Sequence, residues 1–179
     1  MRQTLAIDFG LGRIRPWARA TDRAALLRNA DNPNVSRFLS SRFPYPYTGE
    51  DANAWFTFLE TQAELSTFAI EVDGQAAGGI GIRRGSDEFA HSAELGYWLG
   101  EAYWGRGIAS AATAVFVPWA MRRFGLTRMV GYVATGNPAS VRVLEKAGFE
   151  REGLARRRAI RDGVAHDHAV YARLEPAGD

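Results

Sequence analysis

The sequence contains no cysteine. This excludes disulfide bonds, zinc or iron–sulfur sites with cysteine ligands, and catalysis by a cysteine nucleophile. Lysine is almost absent too, because all of the 22 basic residues except Lys146 are arginine. The formal net charge of +2 is too small to indicate a nucleic-acid-binding surface, so no nucleic-acid partner is predicted.

Long apolar runs are also missing. The longest, residues 111–121, is interrupted by Thr113 and Pro118 and is well short of the roughly 20 residues that a membrane-spanning helix needs. Residues 1–9 lack the apolar core of a signal peptide. These absences predict a cytoplasmic protein without a membrane partner.

What is present is typical of one ordinary globular domain. A chain of 179 residues with 46% hydrophobic residues can bury a core without help from metals or disulfides. No repeat, low-complexity tract or linker divides the sequence. We therefore predict a single domain over residues 1–179.

Short-range signals predict several of the elements. Asp73-Gly74 and Asp162-Gly163 each join two strand-like runs, which predicts two hairpins. Thr48, with Asp51 three residues on, predicts a capped helix that continues through Leu65.

The complete order of predicted elements mixes strands and helices. An early helix is expected to begin with Thr21 or Asp22 as its cap. Early helices, an antiparallel meander and then alternating strands and helices indicate an α/β fold, with a mixed sheet and helices on both sides. The predicted strands are residues 5–9, 13–17, 67–72, 75–83, a strand ending at 99 and 129–133; the other helical segments are 35–40, 107–124 and 138–147.

The most informative pattern is a strand, a short loop, a Gly-x-Gly turn and a helix. A helix start has unpaired amides and a positive dipole end, so it attracts phosphate. Gly105 and Gly107 have no Cβ, which lets the backbone curl and an anion approach its amides. A dinucleotide fingerprint does not fit, because Ser110 stands where its third glycine would be, and a P-loop does not fit, because the turn has no lysine.

The GNAT family of N-acetyltransferases has an acetyl-CoA motif that this chain resembles at Glu94-Leu95-Gly96-Tyr97-Trp98-Leu99 and Tyr103-Trp104-Gly105-Arg106-Gly107-Ile108-Ala109. The resemblance is to the ribosomal-protein alanine acetyltransferase branch in particular, of the RimJ/RimL type. Trp104 replaces the Gln or Arg that usually opens the motif. A second block resembles the next cofactor-contacting helix of the family, at Asn137-Pro138-Ala139-Ser140 and Leu144-Glu145-Lys146-Ala147-Gly148-Phe149.

The resemblance implies the acyl-CoA N-acyltransferase fold, a splayed mixed sheet flanked by helices with its cofactor half at about residues 91–153. It also implies acetyl-CoA as co-substrate and no metal. Asn137 would contact the pantetheine arm near the thioester, or it is simply a helix cap. The other implied cofactor-binding residues are Tyr97, Trp98 and Leu99 along the pantetheine arm, and Trp104, Gly105, Arg106, Gly107, Ile108, Ala109 and Ser110 at the pyrophosphate.

Two residues are the catalytic candidates, Glu94 and Ser140. Strand alternation puts Glu94 on the face of Gly96 and Trp98, where it either draws the proton from the acceptor amine through water or forms a structural ion pair. Many members of the family place a tyrosine, the acid for the departing thiolate, where this chain has Leu144. Ser140 is the nearest substitute, or it hydrogen-bonds within its helix.

Several other residues have two interpretations. Tyr132 either lines the cleft or packs in the core. Some members of the resembled branch carry an active-site Glu where this chain reads Arg156-Arg157-Arg158, which we interpret as a solvated edge strand. His166 and His168 point the same way in a strand but have no evident third metal ligand. Phe43, Tyr45, Tyr47 and Trp55 either wall the acceptor pocket or pack as an ordinary core.

The predicted function is acetyl transfer from acetyl-CoA to a primary amine, most readily the α-amine of a protein or peptide N-terminus. A small-amine, polyamine or drug acetyltransferase of the same fold and a non-catalytic CoA-binding sensor are the alternatives. Partnership with a second copy in a homodimer is left open.

Overall fold

The computed structural model describes residues 6–175. Leu5, the first residue of the predicted first strand, lies outside this range. The described chain forms strands β1 (Ile7–Asp8), β2 (Arg13–Arg15), β3 (Thr67–Val72), β4 (Gln75–Arg84), β5 (Ser92–Leu99), β6 (Arg128–Ala134), β7 (Glu150–Arg161) and β8 (Val164–Leu174), and helices α1 (Arg19–Ala30), α2 (Pro33–Ser36), α3 (Gly49–Thr61), α4 (Ile108–Phe124) and α5 (Pro138–Lys146).

The strands form a mixed sheet in the order β1-β2-β3-β4-β5-β6-β8-β7. β5 and β6 are parallel, whereas the β1-β2, β2-β3, β3-β4, β6-β8 and β8-β7 pairs are antiparallel. The helices that connect these strands make the fold a mixed α/β fold with helices against the sheet, as the element order predicted.

The described residues cluster into two compact units. The first contains the chain up to Gly81 together with Tyr97–Ala112, and the second contains Ile82–Gly96 and the chain from Thr113 onward. Each unit combines separate stretches of sequence, so neither is a segment that could be cut out of the chain. The single domain over residues 1–179 stays a prediction.

The two hairpin signals are confirmed. Asp73 and Gly74 have φ values of 51° and 75°, and Asp162 and Gly163 have 51° and 76°. Positive φ at both central residues is the geometry of the two-residue turn that matches the twist of adjacent antiparallel strands.

The capping box of α3 is also confirmed. The Thr48 hydroxyl accepts a hydrogen bond from the Asp51 amide at 3.3 Å, and the Asp51 carboxylate accepts one from the Thr48 amide at 2.7 Å. The helix ends at Thr61 rather than at the predicted Leu65, because Gln62 turns to an extended conformation. The Gln62 side chain then donates to the carbonyl of Phe58, one of the last carbonyls of the helix.

The predicted cap of α1 is wrong. The helix begins after Ala18, whose side chain cannot cap, and Asp22 lies inside its first turn. From there the Asp22 carboxylate accepts a hydrogen bond from the Ala18 amide at 2.8 Å and two from Arg15 at 2.7 and 2.8 Å. Asp22 therefore closes the start of α1 from within the helix, while it pairs with a neighbouring strand.

The Asp22–Arg15 pair belongs to a charged network in the first unit. Glu71 on β3 accepts hydrogen bonds from Arg15 and, at 2.6 Å, from Arg13. Asp22 is 2% exposed and Glu71 8% exposed. Burial by itself would raise the pKa of each carboxyl, but hydrogen bonds from the arginines outweigh it and hold both pKa values below the ordinary range.

Each unit has an apolar interior. In the first, α1 and α3 pack through Leu26, Ala30, Ala52 and Phe56, with Trp17 at the edge of this cluster. In the second, buried side chains come from α4, β6 and α5, namely Phe116, Val117, Ala120, Met121, Met129, Val133 and Leu144.

Candidate active site

The Gly-x-Gly turn of the first unit has the conformation that an anion site needs. Gly105 and Gly107 have φ values of 72° and 75°, in the left-handed region that favours glycine. A Cβ placed on either residue would meet no atom within 4 Å. Glycine is therefore required here by the backbone conformation, and the space in front of the turn is open.

Helix α4 begins directly after this turn, at Ile108. Its first turn includes Ala109 and Ser110, and the first helical hydrogen bond of this turn runs from the Ala111 amide to the Gly107 carbonyl at 3.0 Å. The amides that precede Ala111 have no partner inside the helix, because the i−4 carbonyls they would need lie outside it. Several donors thus lie at the positive end of the helix dipole, directly after the turn.

Two side chains fix the turn to the rest of the first unit. The Trp104 indole N–H donates to the Leu99 carbonyl at 2.9 Å. Arg106 lies 3.5 Å from the Asp73 carboxylate, and its guanidinium is 5.8 Å from the centre of the Tyr103 ring. The tryptophan that departs from the usual motif therefore ties the turn to the end of β5.

The carboxyl half of β5 is held by its neighbours in the first unit. The Trp98 ring lies 5.0 Å from the Phe43 ring, and Leu99 is buried. A Cβ on Gly78 of β4 would lie 2.1 Å from the Trp98 carbonyl, so the close approach of β4 to β5 depends on that glycine. Tyr97 is partly buried.

The amino half of β5 lies in the second unit and pairs with β6 only at its start. The register joins Ser92, Ala93 and Glu94 to Arg128, Met129 and Val130. Both strands continue past this point, β5 to Leu99 and β6 to Ala134. Parallel pairing therefore stops at Glu94, which is the splay that the resemblance implied.

The second unit also holds Asn137 and Ser140, and these two residues are in direct contact. The Asn137 side-chain oxygen accepts a hydrogen bond from the Ser140 amide at 3.2 Å, which makes Asn137 the N-cap of α5. The cap uses only that oxygen and leaves the Asn137 amide group for other contacts. Both interpretations of Asn137 are thus compatible with its geometry.

Leu144 is a core residue. It is 1% exposed, and its Cδ1 lies 2.6 Å from where a Cβ on Gly131 would be. Leucine and glycine fit each other here, so α5 packs closely on β6. A tyrosine at this position would therefore disturb the packing of α5 on β6.

Glu94 forms ion pairs. Its Oε2 accepts a hydrogen bond from Arg83 on β4 and lies 3.5 Å from Arg158 on β7. The side chains of Glu94 and Arg158 are 32% and 31% exposed. Of the two interpretations of Glu94, the structure contains the ion pair, and the remaining oxygen, Oε1, receives no hydrogen bond from residues 6–175.

Arg158 also contacts Tyr132, whose side chain had two interpretations. Its guanidinium carbon lies 3.3 Å from the centre of the Tyr132 ring, in a stacked cation–π contact. The side chain that we interpreted as part of a solvated edge strand therefore joins a cluster of Arg83, Glu94, Tyr132 and Arg158. The sequence did not predict this cluster. Its signal was the run Arg156-Arg157-Arg158, which stands where some family members carry an active-site glutamate.

The environment of His168 on β8 favours the neutral form of its imidazole. Burial is the main cause that lowers its pKa, and the charge of Arg158 lowers it further. Its buried Nδ1 has no hydrogen-bond partner within the described residues. No group of three or more His, Cys, Asp or Glu that could hold a metal occurs between residues 6 and 175.

The aromatic set after α2 divides into packed and exposed residues. Phe43 lies between Tyr47 and Trp98, at ring distances of 5.1 and 5.0 Å, and Trp55 stacks on Phe58. Burial raises the pKa of Tyr47 to about 12, so its hydroxyl is protonated at neutral pH. Tyr45 is 50% exposed.

The family of the protein follows from comparison with known proteins. A family model described as the acetyltransferase (GNAT) domain matches residues 13–150, which is more than half of the chain. The chain therefore belongs to the GNAT acetyltransferase family. This confirms the family that the two motifs predicted and places the chain among N-acetyltransferases.

Several curated relatives have related names. The chain is 42% identical over 85 residues to the "Probable N-acetyltransferase YjcK" of Bacillus subtilis, a match that covers 48% of this chain and 47% of that protein. It is 30% identical over 116 residues to the ribosomal-protein-serine acetyltransferase of Escherichia coli, covering 65% of this chain and 64% of that protein. The chain spans about half the length of the first curated relatives it matches.

Solved structures share the fold over nearly the whole chain. A GNAT-family acetyltransferase from Bacillus anthracis superposes with a TM-score of 0.81 at 23% identity, covering 95% of this chain and 98% of that one. RimL, a ribosomal L7/L12 α-N-protein acetyltransferase in complex with coenzyme A, gives a TM-score of 0.83 at 22% identity, covering 97% and 100%. These likenesses confirm the predicted fold.

No helix among residues 6–175 combines the length and the apolar character needed to cross a membrane.

Proposed function

We propose that this protein is an acetyl-CoA-dependent N-acetyltransferase whose acceptor is the α-amine of a protein or peptide N-terminus. The observation that carries the proposal is the pair of left-handed glycines, Gly105 and Gly107, directly before α4 in a chain of the GNAT family. Acetyl-CoA supplies the acetyl group as a thioester, which an amine attacks directly.

The proposed cofactor site depends on the backbone amides of the Gly105–Gly107 turn and of the start of α4. The amides from Gly105 to Ser110 would hold the pyrophosphate, since no Cβ blocks the turn and the dipole of α4 favours an anion there. Trp104 and Arg106 would keep the turn in place through Leu99 and Asp73. Tyr97, Trp98 and Leu99 are proposed to pair along the pantetheine arm, and Asn137 is proposed as a further cofactor-binding residue. The donors fit a phosphorylated ligand.

The acceptor half rests on Glu94. We propose that Oε1, which has no partner among the described residues, accepts the proton of the amine directly or through one water. Ser140 is proposed to assist the departing thiolate, since Leu144 has no proton to give. Both roles remain proposals.

The acceptor class follows from basicity. An α-amine has a reference pKa near 7.7–8.0, against about 10.4 for lysine. A carboxylate is a weak base, and a weak base suffices for an α-amine. The name of the E. coli relative, a ribosomal-protein-serine acetyltransferase, supports a protein acceptor. Arg83 and Arg158 beside Glu94 argue against a polyamine acceptor, because like charges repel.

The test is acetyl transfer to a panel of peptides and amines, followed by mass spectrometry. We expect kcat/KM to be higher for a peptide with a free N-terminus and no lysine than for an N-blocked peptide with one lysine. A faster reaction of the blocked peptide would overturn the α-amine assignment. Binding of acetyl-CoA without transfer to any amine would instead support a sensor, and preferred acetylation of small amines would support the small-molecule alternative. The cytoplasmic location stays a prediction.

A further inference from the structure

Arg158 reaches its partners across the sheet. It starts on β7, the terminal strand, and passes β8 to contact Tyr132 on β6 and Glu94 on β5. All of these residues belong to the second unit. The Tyr132 ring lies against the flat face of the Arg158 guanidinium and Glu94 lies near its edge, so this side chain is not freely solvated.

A bulge in β7 is what aims this side chain. The register with β8 shifts between Ala155 and Ala159, so Arg156-Arg157-Arg158 form an irregular stretch. Arg157 has a φ of 50°, and its amide donates to the Asp167 carboxylate at 2.7 Å. A non-glycine residue with positive φ is strained, and bulges of this type commonly redirect side chains. Asp167 thus fixes the conformation that turns Arg158 inward.

Hydrogen-bonding capacity is left over in this cluster. Arg158 has five N–H donors, and its one hydrogen bond to a described residue is the 3.5 Å contact with Glu94. Arg83 is 67% exposed and also bonds Glu94. Two positive charges therefore face one negative charge, and an acidic group from outside would balance them.

We propose that Arg158 binds a carboxylate of the acceptor, so that amines bearing a nearby acidic group are the preferred substrates. The inference rests on the proposed function, because it places the acceptor amine at Glu94. The planar guanidinium suits a carboxylate, which it can bind with two parallel hydrogen bonds, and its stacking on Tyr132 presets its orientation. The Oε1 of Glu94 would receive the ammonium group while Arg158 receives the carboxylate.

The carboxylate could come from an acidic side chain of a peptide or from the α-carboxylate of a free amino acid. The experiment compares two isosteric pairs of acceptors: a short lysine-free peptide with Asp or Asn as its second residue, and a free amino acid or its amide. We expect the acidic member of one pair to be favoured in kcat/KM by about tenfold, since the lost hydrogen bonds are to charged groups. The pair that shows the preference identifies the source.

The Arg158→Gln variant should lose that preference, so that the ratio of kcat/KM for the acidic acceptor to that for the neutral acceptor falls to about one. Arg158→Lys should retain part of it, because charge remains but the planar fork is lost. Arg151→Gln is the matched control, since it removes the same charge from an exposed position on β7, at the register shift before Gly153 and outside the stretch Arg156–Arg158, and should keep the preference.

A second readout does not depend on turnover. Equilibrium binding of the four acceptors is measured in the presence of coenzyme A, which has no acetyl group to transfer. Equal affinity for the acidic and neutral members of both pairs, or a preference that survives in Arg158→Gln, would overturn the inference. If this inference is overturned but neutral acceptors are still acetylated, the proposed function stands. If no amine is acetylated at all, the proposed function itself is wrong.

Discussion

At the scale of single residues, Gly107 is the position where backbone conformation and ligand binding meet. Its φ of 75° is unfavourable for any side chain, above all for a β-branched one. We expect Gly107→Val to weaken coenzyme A binding at least about tenfold, because amides turned away from the phosphate lose charged hydrogen bonds.

Isothermal titration calorimetry measures this effect directly. Gly163→Val is the control, since Gly163 has a φ of 76° in the β7–β8 turn and carries the same backbone penalty without belonging to the phosphate site. Unchanged affinity in a folded Gly107→Val protein would show that the phosphate binds elsewhere.

Glu94 is the second residue with a decisive substitution. We expect Glu94→Gln to lower kcat by about 10²–10⁴-fold, the usual loss for a general base, while acetyl-CoA affinity stays within a factor of about two. Glutamine keeps the shape of the side chain and can still accept from Arg83, so the fold of the cluster should persist.

The measurement is steady-state kinetics with an acceptor that the panel has identified. Arg83→Gln serves as the comparison, because it disturbs the same ion pair without removing the carboxylate. Full activity of Glu94→Gln between pH 6 and 9 would mean that Glu94 is only structural.

At the scale of elements, local sequence predicted those features whose causes are local. Thr48 and Asp51 are three residues apart, and Asp73-Gly74 is a turn by its own conformational preference, so the capping box and the hairpin followed from adjacent residues. The Gly105 and Gly107 turn was recognised for the same reason.

Features that depend on distant residues were not predictable in this way. Thr21 or Asp22 is the cap expected from the sequence, but Asp22 instead pairs with Arg15, whose other charged partner, Glu71, lies 56 residues from Arg15 along the chain. Likewise, the inward turn of Arg158 depends on Asp167, ten residues away on the next strand. Nothing in the run of three arginines distinguishes the one that points inward.

The buried pair at the start of α1 gives a prediction for this element. Asp22→Ala removes two of the hydrogen bonds of Arg15, which then keeps only Glu71 as a charged partner among the described residues, and leaves the Ala18 amide without an acceptor there. We therefore expect a loss of about 2–4 kcal/mol in the free energy of unfolding. Chemical denaturation with urea measures it. Glu60→Ala removes the exposed partner of Arg19 and should cost less than about 1 kcal/mol. Equal losses in the two variants would contradict the assigned role of Asp22.

At the scale of the whole molecule, the same network predicts how stability depends on pH. Hydrogen bonds from arginine lower the pKa of Asp22 and Glu71 against the opposing effect of burial. A carboxyl whose pKa is lower in the folded state stabilises the protein fully above its unfolded value, about 3.9 for Asp and 4.3 for Glu. The stabilisation is then lost as the pH falls through that value towards the folded pKa.

We therefore expect the urea midpoint to be flat from about pH 7 to 5 and to fall below about pH 4.5. In an Asp22→Asn, Glu71→Gln double variant the midpoint should be lower at neutral pH and fall less steeply in acid. Glu60→Gln should keep the wild-type slope. An acid slope that is the same in the double variant would place the responsible carboxyls elsewhere.

The bulge of β7 has a consequence for how this enzyme could diversify. The turn that would hold the cofactor is built from backbone, which few substitutions can alter without loss. Arg158, by contrast, lies on the terminal strand of the sheet, where its replacement disturbs little of the buried interior. If Arg158 binds the acceptor as proposed, a gene copy that exchanges this arginine would keep the backbone of the cofactor turn and prefer a different set of amines. We therefore expect new acceptor preferences to arise at this edge of the sheet before the cofactor turn changes.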